Sequence, residues 1–135
     1  MAASLDGYTG LKYFLVSSPV EHVAHVQTNR PEKLNAFFDE MWLEMGRIFR
    51  KLSHDANVRA VVFSAVGERA FTSGLDVQAT SEGGTLSPAG SLDAARFATR
   101  VRRHVYEIQE SISAIEQCEK RMFLTPTNAC SAIHG

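Results

Sequence analysis

The sequence has few of the features that mark specialised classes of protein. It contains two cysteines, Cys118 and Cys130, and their spacing matches no metal-ligand motif. No apolar run approaches the roughly 20 residues of a membrane-spanning helix, and a net charge of −1 provides no basic surplus for nucleic acid. The first ten residues lack the basic start and the apolar stretch of a secretory signal. These absences predict an intracellular protein with free thiols, without a membrane span and without a metal or nucleic-acid site.

What is present predicts one globular domain. Hydrophobic residues make up 44% and charged residues 21%, which is typical of a folded chain. The small and polar residues 1–10 are expected to fray. Residues 12–16 and 22–27 predict two strands of a half-exposed hairpin. The second strand carries His22 and His25, which have no acidic or cysteine partner at ligand spacing. We interpret them as solvent-facing side chains rather than as ligands or bases.

A strand–helix–strand unit follows the hairpin. Pro31 ends the second strand because proline has no N–H donor. A helix is predicted from about Asn35, since apolar residues recur at three- and four-residue steps as far as Leu52. Residues 58–63 are rich in β-branched side chains and predict a buried parallel strand. The pattern indicates an α/β fold with a right-handed crossover.

The segment after this strand, residues 71–77 (Phe-Thr-Ser-Gly-Leu-Asp-Val), is the main candidate for chemistry. Small residues around Gly74 leave backbone N–H groups accessible. An N–H such as that of Leu75 can stabilise the oxyanion that develops in acyl chemistry. The same Ser-Gly-x-Asp pattern is also typical of an ordinary turn, so taken alone it leaves both interpretations open.

The remaining residues predict a loop, a second helix and an irregular tail. Residues 78–90 are rich in glycine and predict a mobile surface loop. A long helix is predicted to begin with Ser91 as its N-cap. Its apolar stripe consists of Leu92, Ala95, Ala98, Val101, Val105, Ile108, Ile112 and Ile115. Its four arginines are Arg96, Arg100, Arg102 and Arg103. These arginines could meet phosphates, or they could form a solvated face that pairs with Glu107 or Glu110. Residues 121–135 show no period and predict no closing helix or strand.

The order of these features resembles the N-terminal half of the crotonase (enoyl-CoA hydratase/isomerase) superfamily. Residues 29–36 read Asn-Arg-Pro-x-Lys-x-Asn-Ala before the first helix, and Phe-x-Ser-Gly-x-Asp follows the buried strand. Further motifs look most like the Δ3,5-Δ2,4-dienoyl-CoA isomerases of fatty-acid β-oxidation. These motifs are Trp42-x-Glu44-Met45, Asp55-x-x-x-Arg59-Ala60-Val61-Val62, Tyr106-x-x-Gln109 and Ile115-Glu116-x-Cys118-x-Lys120.

The resemblance covers about residues 20–120 and implies a specific fold and site. It implies a partial crotonase-type (ClpP/crotonase-like) spiral of ββα units in residues 11–120, truncated before its second half, with a flexible N-terminus at 1–10 and a divergent tail at 121–135. It implies that the backbone N–H of Leu75 is one of two oxyanion-hole donors to an acyl-CoA thioester. It also implies that the path of coenzyme A is lined by Lys33, Leu34, Ala36, Ser73, Gly74 and Asp76.

The resemblance also implies the surroundings of the reaction. The coenzyme A thioester is the substrate, and neither a separate cofactor nor a metal is needed. Intact relatives would be homotrimers or hexamers in peroxisomes or mitochondria, although we find no targeting signal in this chain.

The sequence departs from the family pattern after Lys120. Residues 121–131 differ from the expected proline and apolar strand before Ala132-Ile133-His134-Gly135. The second donor, and the carboxylates that move a proton from C2 to C6 through a dienolate, are expected beyond Gly135. We therefore expect negligible turnover from these 135 residues alone, and aggregation or dependence on a partner. The alternatives are a non-catalytic acyl-CoA-binding or vestigial module, an enoyl-CoA hydratase, and an interaction protein unrelated to coenzyme A.

Overall fold

Five strands in residues 3–83 and 93–125, the part of the chain that the computed structural model describes, form one sheet. The strands are β1 (Ala3–Ser4), β2 (Phe14–Ser18), β3 (Val23–Thr28), β4 (Ala60–Ala65) and β5 (Arg121–Leu124). The helices are α1 (Asp39–His54), α2 (Val77–Gly83) and α3 (Ala94–Glu116), and a 3₁₀ turn covers Pro31–Lys33.

The strands lie in the sheet in the order of the chain. β1, β2 and β3 are antiparallel neighbours, whereas β3–β4 and β4–β5 are parallel pairs. Val26 in β3 is paired with Val16 in β2 and with Phe63 in β4. The predicted hairpin and the strand–helix–strand unit are therefore confirmed, and so is the α/β fold. α1 begins at Asp39 rather than near Asn35, because the chain first turns through left-handed conformations at Leu34 and Asn35.

The hydrophobic core lies between α1 and one face of the sheet. The apolar face of α1 contributes buried side chains, which are Met41, Met45, Ile48, Phe49 and Leu52. The strands contribute Ala24, Val26, Val61 and Phe63, each at most 3% exposed. A fully buried large apolar side chain stabilises the fold by about 1.5–3 kcal/mol. The predicted apolar stripe of the first helix is thus the face that holds the helix to the sheet.

Both ends of the described chain are attached to this sheet. Ala3–Ser4 pairs with Ser17–Ser18, and Tyr8 joins the core at 6% exposure, where fraying of residues 1–10 was expected. At the other end, Arg121–Leu124 pairs with β4, so the prediction that the tail adds no strand is wrong for these residues. Four residues are too few to show a period of two, and the pairing comes from backbone groups. Residues 126–135, including Cys130, lie outside the described residues.

Two predictions about the region before α3 are wrong. Val77–Gly83 forms the short helix α2, where a loop was expected from Gln78 onward; residues 84–90 of that predicted loop lie outside the described residues. α3 begins at Ala94, and its N-cap is Asp93, whose side chain accepts a hydrogen bond from the Arg96 N–H at 2.8 Å. Ser91, the predicted N-cap, lies outside the described residues together with Leu92.

α3 packs on α1 with an unexpected face. Its buried residues are His104, Ser111 and Ala114, whereas Val105 and Ile112 of the predicted apolar stripe are 42% and 44% exposed. The stripe therefore coincides with the packed face only in part: Ile115 packs against the core, and Val101 and Ile108 are half-buried. The short side chains of Ser111 and Ala114 allow a closer approach to α1 than Val and Ile would, and this spatial requirement is not visible in the hydrophobic period.

The predicted pairing of the α3 arginines with Glu107 or Glu110 stays a prediction, and three of the arginines contact residues close to them in sequence. Arg96 forms an exposed ion pair with Asp93 at 3.6 Å. The guanidinium groups of two others lie over aromatic rings, Arg100 over Phe97 and Arg102 over Tyr106. Each of these three contacts spans three or four residues along the chain.

His25 is buried, contrary to its interpretation as a solvent-facing side chain. It is 4% exposed, and its Nε2 lies 2.7 Å from the hydroxyl oxygen of Ser64 in the neighbouring strand β4. A polar side chain can be buried when a partner satisfies it, and the partner here is distant in sequence. His22 is more exposed, and its Nδ1 lies 3.0 Å from the carbonyl oxygen of Asn57.

Candidate functional site

Two segments that are distant in sequence meet next to the carboxyl ends of β3 and β4. We call residues 30–37 and 71–79 the two-loop site. The Ser73 N–H donates to the Leu34 carbonyl at 3.0 Å, and the Thr72 hydroxyl donates to the Asn35 carbonyl at 2.8 Å. In open α/β sheets ligands bind outside the carboxyl ends of the strands, so this location is a typical one for a binding site.

Asn35 holds the first segment in a tight turn. Leu34 and Asn35 have φ angles of 51° and 56°, in the left-handed region that asparagine tolerates better than most residues. The Asn35 side chain is buried and makes three hydrogen bonds. Its Oδ1 accepts from the Arg30 N–H at 2.9 Å, and its Nδ2 donates to the carbonyls of Val66 and Ala70 at 2.9 and 3.0 Å. One side chain therefore connects the turn to the segment that follows β4.

A short parallel bridge between Phe37 and Leu75 fixes the second segment. The Phe37 N–H donates to the Gly74 carbonyl, and the Asp76 N–H donates to the Phe37 carbonyl, both at 2.8 Å. In a trans peptide the N–H points opposite to the preceding carbonyl. Because the Gly74 carbonyl points at Phe37, the Leu75 N–H points away from it. No residue that the structure describes accepts this N–H, and Leu75 is 52% exposed.

Gly74 makes this arrangement possible. Its φ is 98°, a conformation that residues with a Cβ rarely adopt. Its own N–H donates to the Thr72 hydroxyl at 3.1 Å. The peptide groups before and after the one between Gly74 and Leu75 are therefore both hydrogen-bonded, to Thr72 and to Phe37.

A largely buried ion pair connects the two segments. Arg30 Nη1 is 2.8 Å from Asp76 Oδ2, and the two side chains are 14% and 12% exposed. Asp76 Oδ1 accepts a hydrogen bond from the Ala79 N–H at 3.0 Å, in the first turn of α2. This N–H first, and the Arg30 guanidinium second, hold the pKa of the Asp76 carboxyl below its usual range. Asp76 therefore remains a charge-compensated carboxylate.

The structure brings all seven residues that the sequence predicted for the site into these two segments. Ser73, Gly74 and Leu75 lie in the second segment, and all three are exposed. Lys33 and Leu34 are exposed on the first segment. Two of the seven lie further in. The carbonyl of Ala36, which is 7% exposed, accepts from Arg30, and the carboxylate of Asp76 is buried against the same guanidinium.

Three residues organise the site without having been predicted for it. They are Arg30, Asn35 and Thr72. Arg30 and Asn35 belong to the motif that carries the resemblance, but the motif does not show that their side chains reach across to the second segment. For Asn35 the sequence does carry a usable signal, because asparagine is enriched in the left-handed conformation that this turn requires.

Neither a metal cluster nor a membrane span is found in the described ranges. Within residues 3–83 and 93–125 no group of three or more His, Cys, Asp or Glu side chains is arranged to hold a metal ion. No helix of that same part of the chain is both long and apolar enough to cross a membrane.

Comparison with known proteins identifies the fold around the two-loop site. Residues 20–119 match the family model for enoyl-CoA hydratase/isomerase. This chain belongs to that family. The predicted crotonase membership and the partial crotonase-type α/β fold are therefore confirmed, and the interpretation as an unrelated interaction protein is wrong.

Curated members of the family include dienoyl-CoA isomerases. The chain is 40% identical over 120 residues to the mitochondrial Δ(3,5)-Δ(2,4)-dienoyl-CoA isomerase of Mus musculus, which covers 89% of this chain and 34% of the mouse protein. It is 32% identical to the peroxisomal Δ(3,5)-Δ(2,4)-dienoyl-CoA isomerase of Arabidopsis thaliana, over 80% of this chain and 38% of the plant protein. The chain thus spans about a third of the length of the curated relatives that it matches.

A solved structure of the family shows the same arrangement of elements. The crystal structure of a probable enoyl-CoA hydratase/isomerase from Mycobacterium abscessus is similar with a TM-score of 0.62 and 28% sequence identity. The match covers 84% of this chain and 38% of that one. The family's fold is thus present over most of the chain.

Proposed function

We propose that this chain forms the thioester-binding part of an acyl-CoA enzyme, most similar in activity to Δ3,5-Δ2,4-dienoyl-CoA isomerase. In this proposal the Leu75 N–H donates to the thioester carbonyl. The observation that carries it is the bridge between Phe37 and Leu75, which turns this N–H away from Phe37. The compartments named for the relatives support a mitochondrial or peroxisomal location, and we propose a role there in fatty-acid β-oxidation.

The chemistry of a dienoyl thioester explains the need for such a donor. Removal of the proton from C2 places negative charge on the thioester oxygen, and the proton is then delivered at C6 as the double bonds shift. A preorganised donor at that oxygen lowers the barrier by about 3–4 kcal/mol. Because the donor is already fixed by the Gly74 and Phe37 contacts, it needs little reorganisation during the reaction.

Asp76 is not the base in this proposal, although it is the carboxylate nearest to Leu75 in sequence. One of its oxygens accepts from Ala79 and the other from Arg30. Both contacts stabilise the deprotonated form, and they lower the pKa, which makes a carboxylate a weaker base. We assign the proton transfer to carboxylates outside the two-loop site. For the 135-residue chain alone we propose negligible turnover, because the resemblance implies that these carboxylates follow Gly135.

The exposed residues of the two segments are the ones that we propose to contact coenzyme A. Lys33 carries a positive charge that suits phosphate, and Leu34 offers an exposed apolar surface to the pantetheine chain. The small side chain of Ser73 and the absence of a side chain at Gly74 allow close approach. Ala36 is buried and the Asp76 side chain is 12% exposed, and we propose that they support the path from behind rather than touch the ligand.

The proposed role of the Leu75 N–H can be tested by comparing two substitutions at this position. Leu75→Pro removes the N–H but neither of the two hydrogen bonds of the bridge, whereas Leu75→Ala keeps the N–H. The probe is an acyl-CoA labelled with ¹³C at the thioester carbonyl. We expect the labelled carbon to shift on binding to the 135-residue chain and to the Leu75→Ala variant, and to lose this shift in the Leu75→Pro variant.

Binding and turnover separate the candidate functions. An equal carbonyl shift in the Leu75→Pro and Leu75→Ala variants would overturn the oxyanion role. Dienoyl-CoA isomerisation by the purified chain would contradict the proposed inactivity. Binding of acyl-CoA by a longer protein that contains this chain, without turnover, would favour the non-catalytic acyl-CoA-binding module. Hydration of an enoyl-CoA by that longer protein would favour a hydratase.

A further inference from the structure

We propose that Arg30 and Asp76 form a positioning pair that sets the direction of the Leu75 N–H. The inference rests on the proposed oxyanion role of Leu75. Neither side chain is proposed to touch the substrate. Their role is to hold the two strands of the Phe37–Leu75 bridge against each other.

One nitrogen atom of Arg30 contacts both sides of the bridge. Arg30 Nη1 donates to the Ala36 carbonyl at 2.9 Å and to Asp76 Oδ2 at 2.8 Å. Ala36 directly precedes Phe37, and Asp76 directly follows Leu75. A single guanidinium therefore ties the neighbours of both bridge residues together.

Asp76, the residue that follows Leu75, makes several further hydrogen bonds. The backbone N–H of Asp76 donates to Phe37, its Oδ1 accepts from Ala79, and its carbonyl accepts from the Thr80 N–H at 3.0 Å. Asp76 thus belongs both to the bridge and to the first turn of α2. A change in its contact with Arg30 would act on the peptide groups next to Leu75.

The Arg30–Asp76 pair is largely shielded from water. Both side chains are mostly buried, and the guanidinium lies over the Phe38 ring at 4.6 Å from the ring centre. Breaking a buried pair leaves an uncompensated charge, so the surrounding segments must rearrange to hydrate it. The nearest segments are those that carry Leu75 and Phe37. The expected consequence is a misdirected N–H rather than only a lower stability.

Four variants separate positioning from stability. Asp76→Asn and Asp76→Ser both keep an acceptor for the Ala79 N–H but lose the charge that faces Arg30. Arg30→Met removes the donors, whereas Arg30→Lys keeps a cation that can donate to more than one acceptor. The readouts are the carbonyl shift of bound ¹³C-labelled acyl-CoA, the ratio of acyl-CoA to free coenzyme A affinity, and the thermal midpoint of the 135-residue chain.

We expect Asp76→Asn, Asp76→Ser and Arg30→Met to lose most of the carbonyl shift and to reduce the preference for acyl-CoA over coenzyme A by about tenfold. Arg30→Lys should restore part of both. A lower thermal midpoint with an unchanged carbonyl shift and preference would overturn the inference and leave a purely structural pair. Should Asp76→Asn fail to fold, the same comparison is made between Asp76→Ser and Arg30→Lys.

The Leu75 variants distinguish failure of this inference from failure of the proposed function. If the unaltered chain shows no carbonyl shift, or if Leu75→Pro retains it, the oxyanion role itself is wrong. If Leu75→Pro abolishes the shift while the Arg30 and Asp76 variants keep it, only the positioning role is wrong.

Discussion

Gly46 in α1 and Ser111 in α3 touch so closely that a side chain cannot be added at Gly46. A Cβ placed there would lie 2.8 Å from the Ser111 hydroxyl oxygen and 2.9 Å from the Ser111 Cα. The second of these atoms is backbone, so relief requires movement of a whole helix. This contact defines how α3 crosses α1, and it explains why the packed face of α3 consists of small and polar residues.

The Gly46→Ala variant is expected to be destabilised by about 1–3 kcal/mol despite the better helix propensity of alanine, because overpacking outweighs the propensity gain of about 1 kcal/mol. Urea unfolding followed by circular dichroism measures this change. Arg50→Ala, at an exposed position of the same helix, is the control and should change stability little. Equal stability of the Gly46→Ala variant and the unaltered chain would contradict the close contact.

Ser64 and His25 form a buried hydrogen bond between parallel strands. Ser64→Ala removes the hydroxyl that faces His25 Nε2, and we expect a loss of about 1–3 kcal/mol in the free energy of unfolding. Ser18→Ala, at a less buried position in β2, serves as the control. If both variants unfolded at the same urea concentration, the bond would contribute nothing measurable.

The Arg30–Asp76 pair predicts a specific acid response. The pKa of Asp76 is lowered in the folded chain, so its contribution to stability is complete above the ordinary carboxyl pKa of about 3.9. The contribution is lost as the pH falls from there through the lowered folded value. The difference in unfolding free energy between the unaltered chain and Asp76→Asn should therefore shrink below about pH 4. A difference that stays constant from pH 7 to pH 2 would argue against the pair.

Tyr8 predicts a response at the opposite end of the pH scale. Burial, and then the hydrogen bond that its hydroxyl donates to Asp55 at 2.9 Å, raise its pKa above the ordinary value. Its neutral form stabilises the fold below about pH 10, and this contribution is lost as the pH rises through the raised folded value. The stability advantage of the unaltered chain over Tyr8→Phe should decrease above about pH 10. An advantage that grows with pH would contradict the assignment.

The local elements follow from the sequence because their signals are local. The β-branched run at residues 58–63 predicts the buried strand β4, and the period from Met41 to Leu52 predicts the packed face of α1. The segment from Phe71 to Val77 combines small residues with a glycine, which is enough to indicate an exposed backbone there. Each of these properties depends on neighbours within a few positions of the chain.

The tertiary structure decided what depends on partners that are distant in sequence. The direction of the Leu75 N–H depends on Phe37, the burial of His25 depends on Ser64, and the packed face of α3 depends on Gly46. The order of residues therefore determined the family, the strands β2, β3 and β4, and the location of the candidate site. Only the tertiary contacts decided that the Leu75 N–H has no acceptor among the described residues. Whether a backbone N–H finds an acceptor depends on which segment packs against it.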